Sequence, residues 1–100
     1  MQHTLRGNAG SRRIWLDGMV LDPGRSQAVC NHSPDGFAWG YGGSGPSQLA
    51  LAVVLQLTGK SEGYQDFKWD VVAKLPMNES FNIDFDYPSV ISKEQQEERK

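Results

Sequence analysis

The chain has 100 residues, a formal net charge of −2 at pH 7 and an acidic pI near 5.6. This length suits one small domain, and 38% hydrophobic with 10% aromatic residues exclude a chain that is disordered throughout. Cys30 is the one cysteine, which excludes an internal disulfide framework and a Cys-rich zinc site. The acidic balance argues against a nucleic-acid partner, because phosphate binding needs a basic surface.

The longest apolar run covers residues 49–55. A membrane-spanning helix needs about 20 apolar residues, so no membrane association is predicted. The chain also opens without the basic and then apolar pattern of a secretory signal, and we expect a cytoplasmic protein.

The first third of the chain predicts a small antiparallel sheet. Asp17 and Gly18 separate two apolar runs within residues 13–21, and Asp-Gly is the pair that a two-residue type I′ turn favours. A short strand over 3–6 precedes this hairpin, and a second turn is predicted at Asp22-Pro23-Gly24.

An aromatic segment follows the hairpin. Phe37, Trp39 and Tyr41 alternate with smaller residues, which predicts a brief strand that runs into a glycine-rich turn over 42–46. Buried packing is the first expectation for Trp39, whereas Tyr41, which lies between two glycines, is expected to be the more exposed of the two.

Two helices are predicted next. The first covers residues 47–58, with Pro46 at its first position and Gly45 or Ser44 near its N-cap. Its apolar residues occupy almost every side, which is typical of a buried central helix. The second is amphipathic, covers 61–75 with Ser61 as N-cap, and ends before a proline.

The last quarter predicts a strand over 81–85 with one buried face. Residues 86–89 are expected to open a final helix that continues to residue 96, and 93–100 form a polar, frayed tail. Together these elements predict an α+β domain over 1–92, in which the sheet packs on the central and amphipathic helices.

The glycine-rich turn is the first candidate site. It joins a strand to a helix N-terminus, where unpaired amides and the helix dipole favour an anion. The candidate ligand-binding residues around it are Trp39, Tyr41, Gly42, Gly43, Ser44, Gly45 and Gln48. The alternative is that the glycines only allow a sharp turn onto the helix.

A second candidate is the polar turn before the aromatic segment. His32 and Asp35 could form an acid/base pair, with Cys30 nearby as a nucleophile. Asx-type hydrogen bonding explains the same residues without any chemistry. No metal site is predicted, because no His or carboxylate is spaced as a partner ligand.

The motifs resemble those of a known family. Residues 36–52 read GFAWGYGGSGPSQLALA, residues 31–34 read NHSP, and residues 64–76 read YQDFKWDVVAKLP. With the Asp17-Gly18 hairpin, this pattern resembles the domain of unknown function 6166 family over about residues 12–76. The resemblance implies a small prokaryotic or phage protein, within a bacterial, archaeal or phage-infected cell, and it implies no activity.

We therefore predict a non-enzymatic binding module that holds an anionic small molecule or a group of a partner protein at the glycine-rich turn. One alternative is a structural, oligomerising or phage inhibitor protein that acts through protein contacts on a host protein, and a homodimer is compatible with so short a chain. The other is a small enzyme that uses His32 and Asp35. No cofactor is predicted.

Overall fold

Alternating apolar side chains near the two ends of the chain build one antiparallel sheet. The computed structural model describes residues 2–87. The sheet has the order β3-β2-β1-β4, where β1 is Gln2–Gly7, β2 is Ile14–Leu16, β3 is Met19–Val20 and β4 is Phe81–Asp86. Leu5 pairs with Leu16 on one side and with Ile83 on the other, so the first strand is internal and the last is an edge.

The β2–β3 hairpin turns at the predicted Asp-Gly pair, with φ of 53° at Asp17 and 83° at Gly18. The Asp17 carboxylate accepts hydrogen bonds from the backbone amide of Thr4 at 2.9 Å and from Nδ1 of His3 at 2.7 Å. These bonds, the Thr4 amide first, hold the pKa of Asp17 below its ordinary value of 3.8. The turn is thereby linked to the adjacent strand.

Three helices complete the described chain: α1 is Pro23–Val29, α2 is Ser44–Thr58, and α3 is Tyr64–Asp70, followed by a 3-10 turn at Val72–Lys74. Residues 45–55 of α2 are all buried, which confirms the prediction of a central helix. Both α1 and α3 pack on α2, and one core cluster joins α2 to the inner face of the sheet. The α+β fold is confirmed. No helix within residues 2–87 is long and apolar enough to cross a membrane.

Helix α1 stands where the sequence predicted only a turn. Asp22 is its N-cap, with Oδ1 accepting from the Gly24 amide at 3.0 Å, and Pro23 occupies the first helical position. Asp-Pro-Gly suits a turn and a helix start equally well, because both use the same fixed proline φ and side-chain cap.

The predicted aromatic strand is wrong. Phe37 and Trp39 are buried, as their alternation suggested, but residues 37–41 form no ladder with the sheet. The amide of Gly40 instead donates to the carbonyl of Val72 at 3.0 Å, which ties this segment to the 3-10 turn after α3. The alternation of aromatic and small residues therefore reflects two buried rings, those of Phe37 and Trp39, on an irregular loop.

The helix boundaries also differ from prediction. Helix α2 begins earlier, with Gly43 as N-cap, and α3 begins later, with Gly63 as N-cap at a φ of 84°. The helix predicted to reach residue 75 breaks at Val71. The predicted final helix from 88 onward and the tail over 93–100 lie outside the described residues.

Pro76 explains why no regular α-helix resumes after the break at Val71. Proline has no N–H, so the carbonyl of Val72, four residues earlier, lacks its α-helical donor. The chain tightens into a 3-10 turn in which Leu75 N donates to that carbonyl at 3.3 Å, and Gly40 N supplies the second hydrogen bond.

Candidate functional site

The loop that leads into α2 is packed closely from three sides. A Cβ on Gly42 would clash with the indole ring of Trp69. A Cβ on Gly43 would lie 2.5 Å from Cε2 of Tyr41, and one on Gly40 would lie 2.5 Å from Cα of Met77. Gly40 is therefore required, because a Cβ there meets backbone atoms of Met77 and its φ of 90° strains any other residue, whereas Gly42 and Gly43 meet exposed rings that can move aside.

The residues that cover this loop are themselves exposed. Tyr41 is 43% exposed, as predicted for it, while Trp69 is 56% and Met77 53% exposed. We call these three side chains, together with the backbone of residues 40–43, the turn patch. A single exposed apolar residue is ordinary, but three large ones around one loop are typical of an interaction surface, and Trp and Tyr are frequent binding hot spots.

A buried lysine lies beneath the turn patch. Lys68 on α3 is only 7% exposed, its Nζ donates to the carbonyl of Gly42 at 3.4 Å, and it lies 4.5 Å from the ring centroid of Trp69. Within residues 2–87, no carboxylate lies within 4 Å of this ammonium. A buried cation without a counter-charge produces a positive potential that water screens poorly.

The N-terminus of α2 adds to that potential. The first-turn amides of Ser44 and Gly45 have no carbonyl partner within the helix, and the dipole of this 15-residue helix is positive at this end. Ser44 is exposed and makes no side-chain cap, whereas Gly45 is buried against Ala38. The N-terminus of α2, capped by Gly43, and the ammonium of Lys68, bonded to the Gly42 carbonyl, thus lie at neighbouring residues.

Gln48 has a different role from the other predicted site residues. It is fully buried, and its Oε1 accepts from the amides of His32 at 2.7 Å and Ser33 at 2.9 Å. Its Nε2 donates to Ser26 Oγ at 2.8 Å and to the Cys30 carbonyl at 3.1 Å. All four hydrogen-bonding positions of the amide are filled, so Gln48 supports the loop over 30–33 and has none left for a ligand.

The two residues of the predicted acid/base pair have separate surroundings. Nε2 of His32 shares a 2.7 Å hydrogen bond with Oη of Tyr64. Asp35 is exposed, and in the described part of the chain it forms no ion pair with His32. Cys30 is exposed as well. The sequence indicated neither Tyr64 as a partner of His32 nor any special role for it.

Trp69 and Lys68 are the functional candidates that sequence analysis missed. The apolar stripe of the predicted amphipathic helix left Trp69 on its outer face, and a tryptophan on an outer face is the signal that would have found it. Lys68 falls within the apolar face predicted for this helix, between Phe67 and Val71, and its spacing alone gave it no role beyond that face. Trp39, by contrast, is buried, as first expected, and contributes no wall to the turn patch.

No group of three His, Cys, Asp or Glu side chains in the described range is placed to hold a metal ion.

Comparisons with known proteins give one result. A search of curated proteins and of solved structures finds no significant match. A family model matches residues 3–93, a range that includes the whole turn patch, the His32 loop and β4. The chain therefore belongs to a family of unknown function, DUF6166.

Proposed function

We propose that this chain is a non-enzymatic binding module, and that the turn patch holds an anionic group of a small molecule or of a partner protein. The observation that carries the proposal is Lys68, a buried cation with no carboxylate within 4 Å among residues 2–87, whose ammonium lies against the exposed ring of Trp69 and donates to the Gly42 carbonyl.

The arrangement supports binding by two complementary contributions. The Lys68 ammonium, the first-turn amides of α2 and the exposed Ser44 hydroxyl favour a carboxylate or phosphate. Tyr41 and Trp69 offer flat apolar surface to the group that carries the anion. A host protein that presents an acidic residue beside an apolar side chain fits the same surface, which is how an inhibitor would use it.

The enzymatic alternative has less support. His32 is paired with Tyr64 and not with Asp35, and no third group orients it as a base toward an exposed nucleophile among the described residues.

The first test is a thermal-shift screen against phosphate, mono- and dinucleotides, cyclic nucleotides and simple carboxylates. A ligand at about 100 times its Kd adds about 2.7 kcal/mol of stability, a shift of several degrees for a domain of this size. The shift should vanish in Lys68→Met and shrink in Trp69→Ala. It should persist in Lys60→Met, which removes an exposed lysine elsewhere.

The protein-partner form of the proposal is tested by capture from host extract with the same variants. A partner retained by the wild type and by Lys60→Met, but lost with Lys68→Met and Trp69→Ala, supports the proposal. If no ligand and no partner distinguishes these variants, the turn patch is not a binding surface and the proposal fails.

A further inference from the structure

A second pocket lies away from the turn patch, where three segments meet beside the β2–β3 hairpin. Its volume is about 370 Å³, within the size range of small-ligand sites. The floor is apolar, because Leu21 and Phe37 are both almost fully buried. None of the turn-patch side chains lines it. Its charged lining residues are Arg12, Arg13, Asp22 and Asp35.

These charges of opposite sign do not pair with one another. Within residues 2–87 no ion pair of 4 Å or less joins any of them, and the side chains of Arg13 and Asp35 make no hydrogen bond. Asp22 already uses Oδ1 to cap α1, and Nη2 of Arg12 donates to Asn78 Oδ1 at 3.4 Å. Arg13 and Asp35 are thus the lining cation and anion whose side chains have no hydrogen-bond partner at all among residues 2–87, whereas Arg12 and Asp22 each have one.

The loop that carries the two arginines is held rigidly. Asn8 N donates to the carbonyl of Arg13 at 3.0 Å, and Arg12 N donates to the carbonyl of Asn8 at 2.8 Å. Arg12 has a φ of 61°, a conformation that costs a residue other than Gly, Asn or Asp about 1 kcal/mol or more. Such strain gathers at binding sites, and here it fixes where the chain presents Arg13.

We infer that this pocket binds a small zwitterion of the α-amino acid class. The Arg13 guanidinium receives the carboxylate through two parallel hydrogen bonds, and the Asp35 carboxylate accepts from the ammonium. The apolar floor of Leu21 and Phe37 receives an aliphatic side chain. Phosphate alone satisfies only the arginine side, and a simple amine satisfies only the aspartate side.

The test is a titration followed by backbone amide NMR with three probes of the same shape. L-leucine carries both charges, N-acetyl-leucine carries only the carboxylate, and leucinamide carries only the ammonium. L-leucine should shift the amides of Arg13 and of residues 35–37, and each single-charge probe should bind about tenfold more weakly.

Two variants make the assignment specific. Asp35→Asn should weaken the binding of L-leucine and leucinamide about tenfold and leave that of N-acetyl-leucine unchanged. Arg13→Gln should weaken the binding of L-leucine and N-acetyl-leucine about tenfold and leave that of leucinamide unchanged. Arg25→Gln and Asp86→Asn are the matched controls, since neither residue lines the pocket.

The inference is overturned if L-leucine causes no shift near saturation of the solution, if the three probes bind equally, or if the shifts map to residues 40–45. The last result would assign the carboxylate to the turn patch. Because Trp69→Ala leaves this pocket intact, loss of L-leucine binding in that variant would also contradict it.

Discussion

Gln48 holds the loop over residues 30–33 from inside the core, together with Gln27, whose Nε2 donates to the Ser33 carbonyl at 2.9 Å. Replacing Gln48 with leucine keeps the side-chain size but leaves the Ser33 amide without its acceptor, and it removes one of two hydrogen bonds from the His32 amide, the Cys30 carbonyl and the Ser26 hydroxyl. Unpaired buried polar groups cost about 1–3 kcal/mol each, and partial access of water lowers the total. We expect Gln48→Leu to lower the free energy of unfolding by about 2–4 kcal/mol, measured by urea denaturation.

The matched control is Gln56→Leu on the exposed side of the same helix, which should stay within about 0.5 kcal/mol of the wild type. If Gln48→Leu is as stable as Gln56→Leu, the hydrogen bonds of Gln48 do not hold the loop over 30–33.

Glycine ordinarily makes a protein less stable than alanine does, and the backbone conformation of Arg12 allows a test in which this order reverses. At a φ of 61° an alanine is strained and a glycine is not. Both substitutions lose the guanidinium, which lies 5.4 Å from the Trp39 ring centroid, so the difference between them isolates the backbone. We expect Arg12→Gly to be about 1 kcal/mol more stable than Arg12→Ala by urea denaturation.

The same pair at Arg13, whose φ is not positive, should show the opposite order, because glycine there only adds freedom to the unfolded chain. An alanine variant that is the more stable of the two at both positions would show that Arg12 is not strained.

At the scale of elements, the β2–β3 hairpin should depend on pH through Asp17. Its pKa is lower in the folded than in the unfolded chain, so its stabilising effect is complete above the ordinary value of 3.8 and disappears as the pH falls through the folded pKa. Asp17→Asn keeps an acceptor for the Thr4 amide and removes the charge. We expect Asp17→Asn to lower the free energy of unfolding by less than about 1 kcal/mol at pH 7, because the Asp17 carboxylate that pairs with His3 is exposed. The decrease should be smaller near pH 3.

Denaturation of wild type and Asp17→Asn at both pH values measures this difference. A gap between the two proteins that widens toward acid would show that the carboxylate does not stabilise the folded hairpin.

Short sequence motifs correctly predicted the elements whose structure is determined by the motif itself. Asp17-Gly18 suits one turn type, and the apolar run of α2 has no alternative to burial. Prediction failed where one sequence motif is compatible with two structures, or where a residue distant in the chain determines the local backbone structure. Asp22-Pro23 suits both a turn and a helix start. The carbonyl of Val72, which Pro76 leaves without an α-helical donor, is paired with the amide of Gly40, some thirty residues earlier.

At the scale of the whole molecule, the sequence located part of the candidate site and missed the rest. Tyr41 and the glycines are adjacent in the chain, so the sequence alone could predict that they lie together in space. Lys68 and Trp69 join them only because α3 packs on α2, a contact between distant segments that no local pattern encodes. The buried amide of Gln48 was misread for the same reason, since its partners come from α1 and the loop after it.

Two of the three tryptophans, Trp39 and Trp69, should differ in what they contribute to the stability of the fold. Trp39 is fully buried, its Nε1 donates to the Glu79 carbonyl at 2.9 Å, and its ring packs edge-on against Phe81 at 5.0 Å. It thus connects the loop before α2 to the turn before β4. Trp39→Phe leaves that carbonyl unpaired and opens a small cavity, so we expect a loss of about 2–3 kcal/mol in the free energy of unfolding.

Trp69→Phe makes the same chemical change at a half-exposed ring on the turn patch, and it should stay within about 0.5 kcal/mol of the wild type in the same urea experiment. Equal losses at both positions would mean that Trp69 is needed for the fold. A stable Trp69→Phe would mean that the fold does not require the indole of Trp69, which leaves this exposed ring available for a ligand or partner, as the proposed function expects.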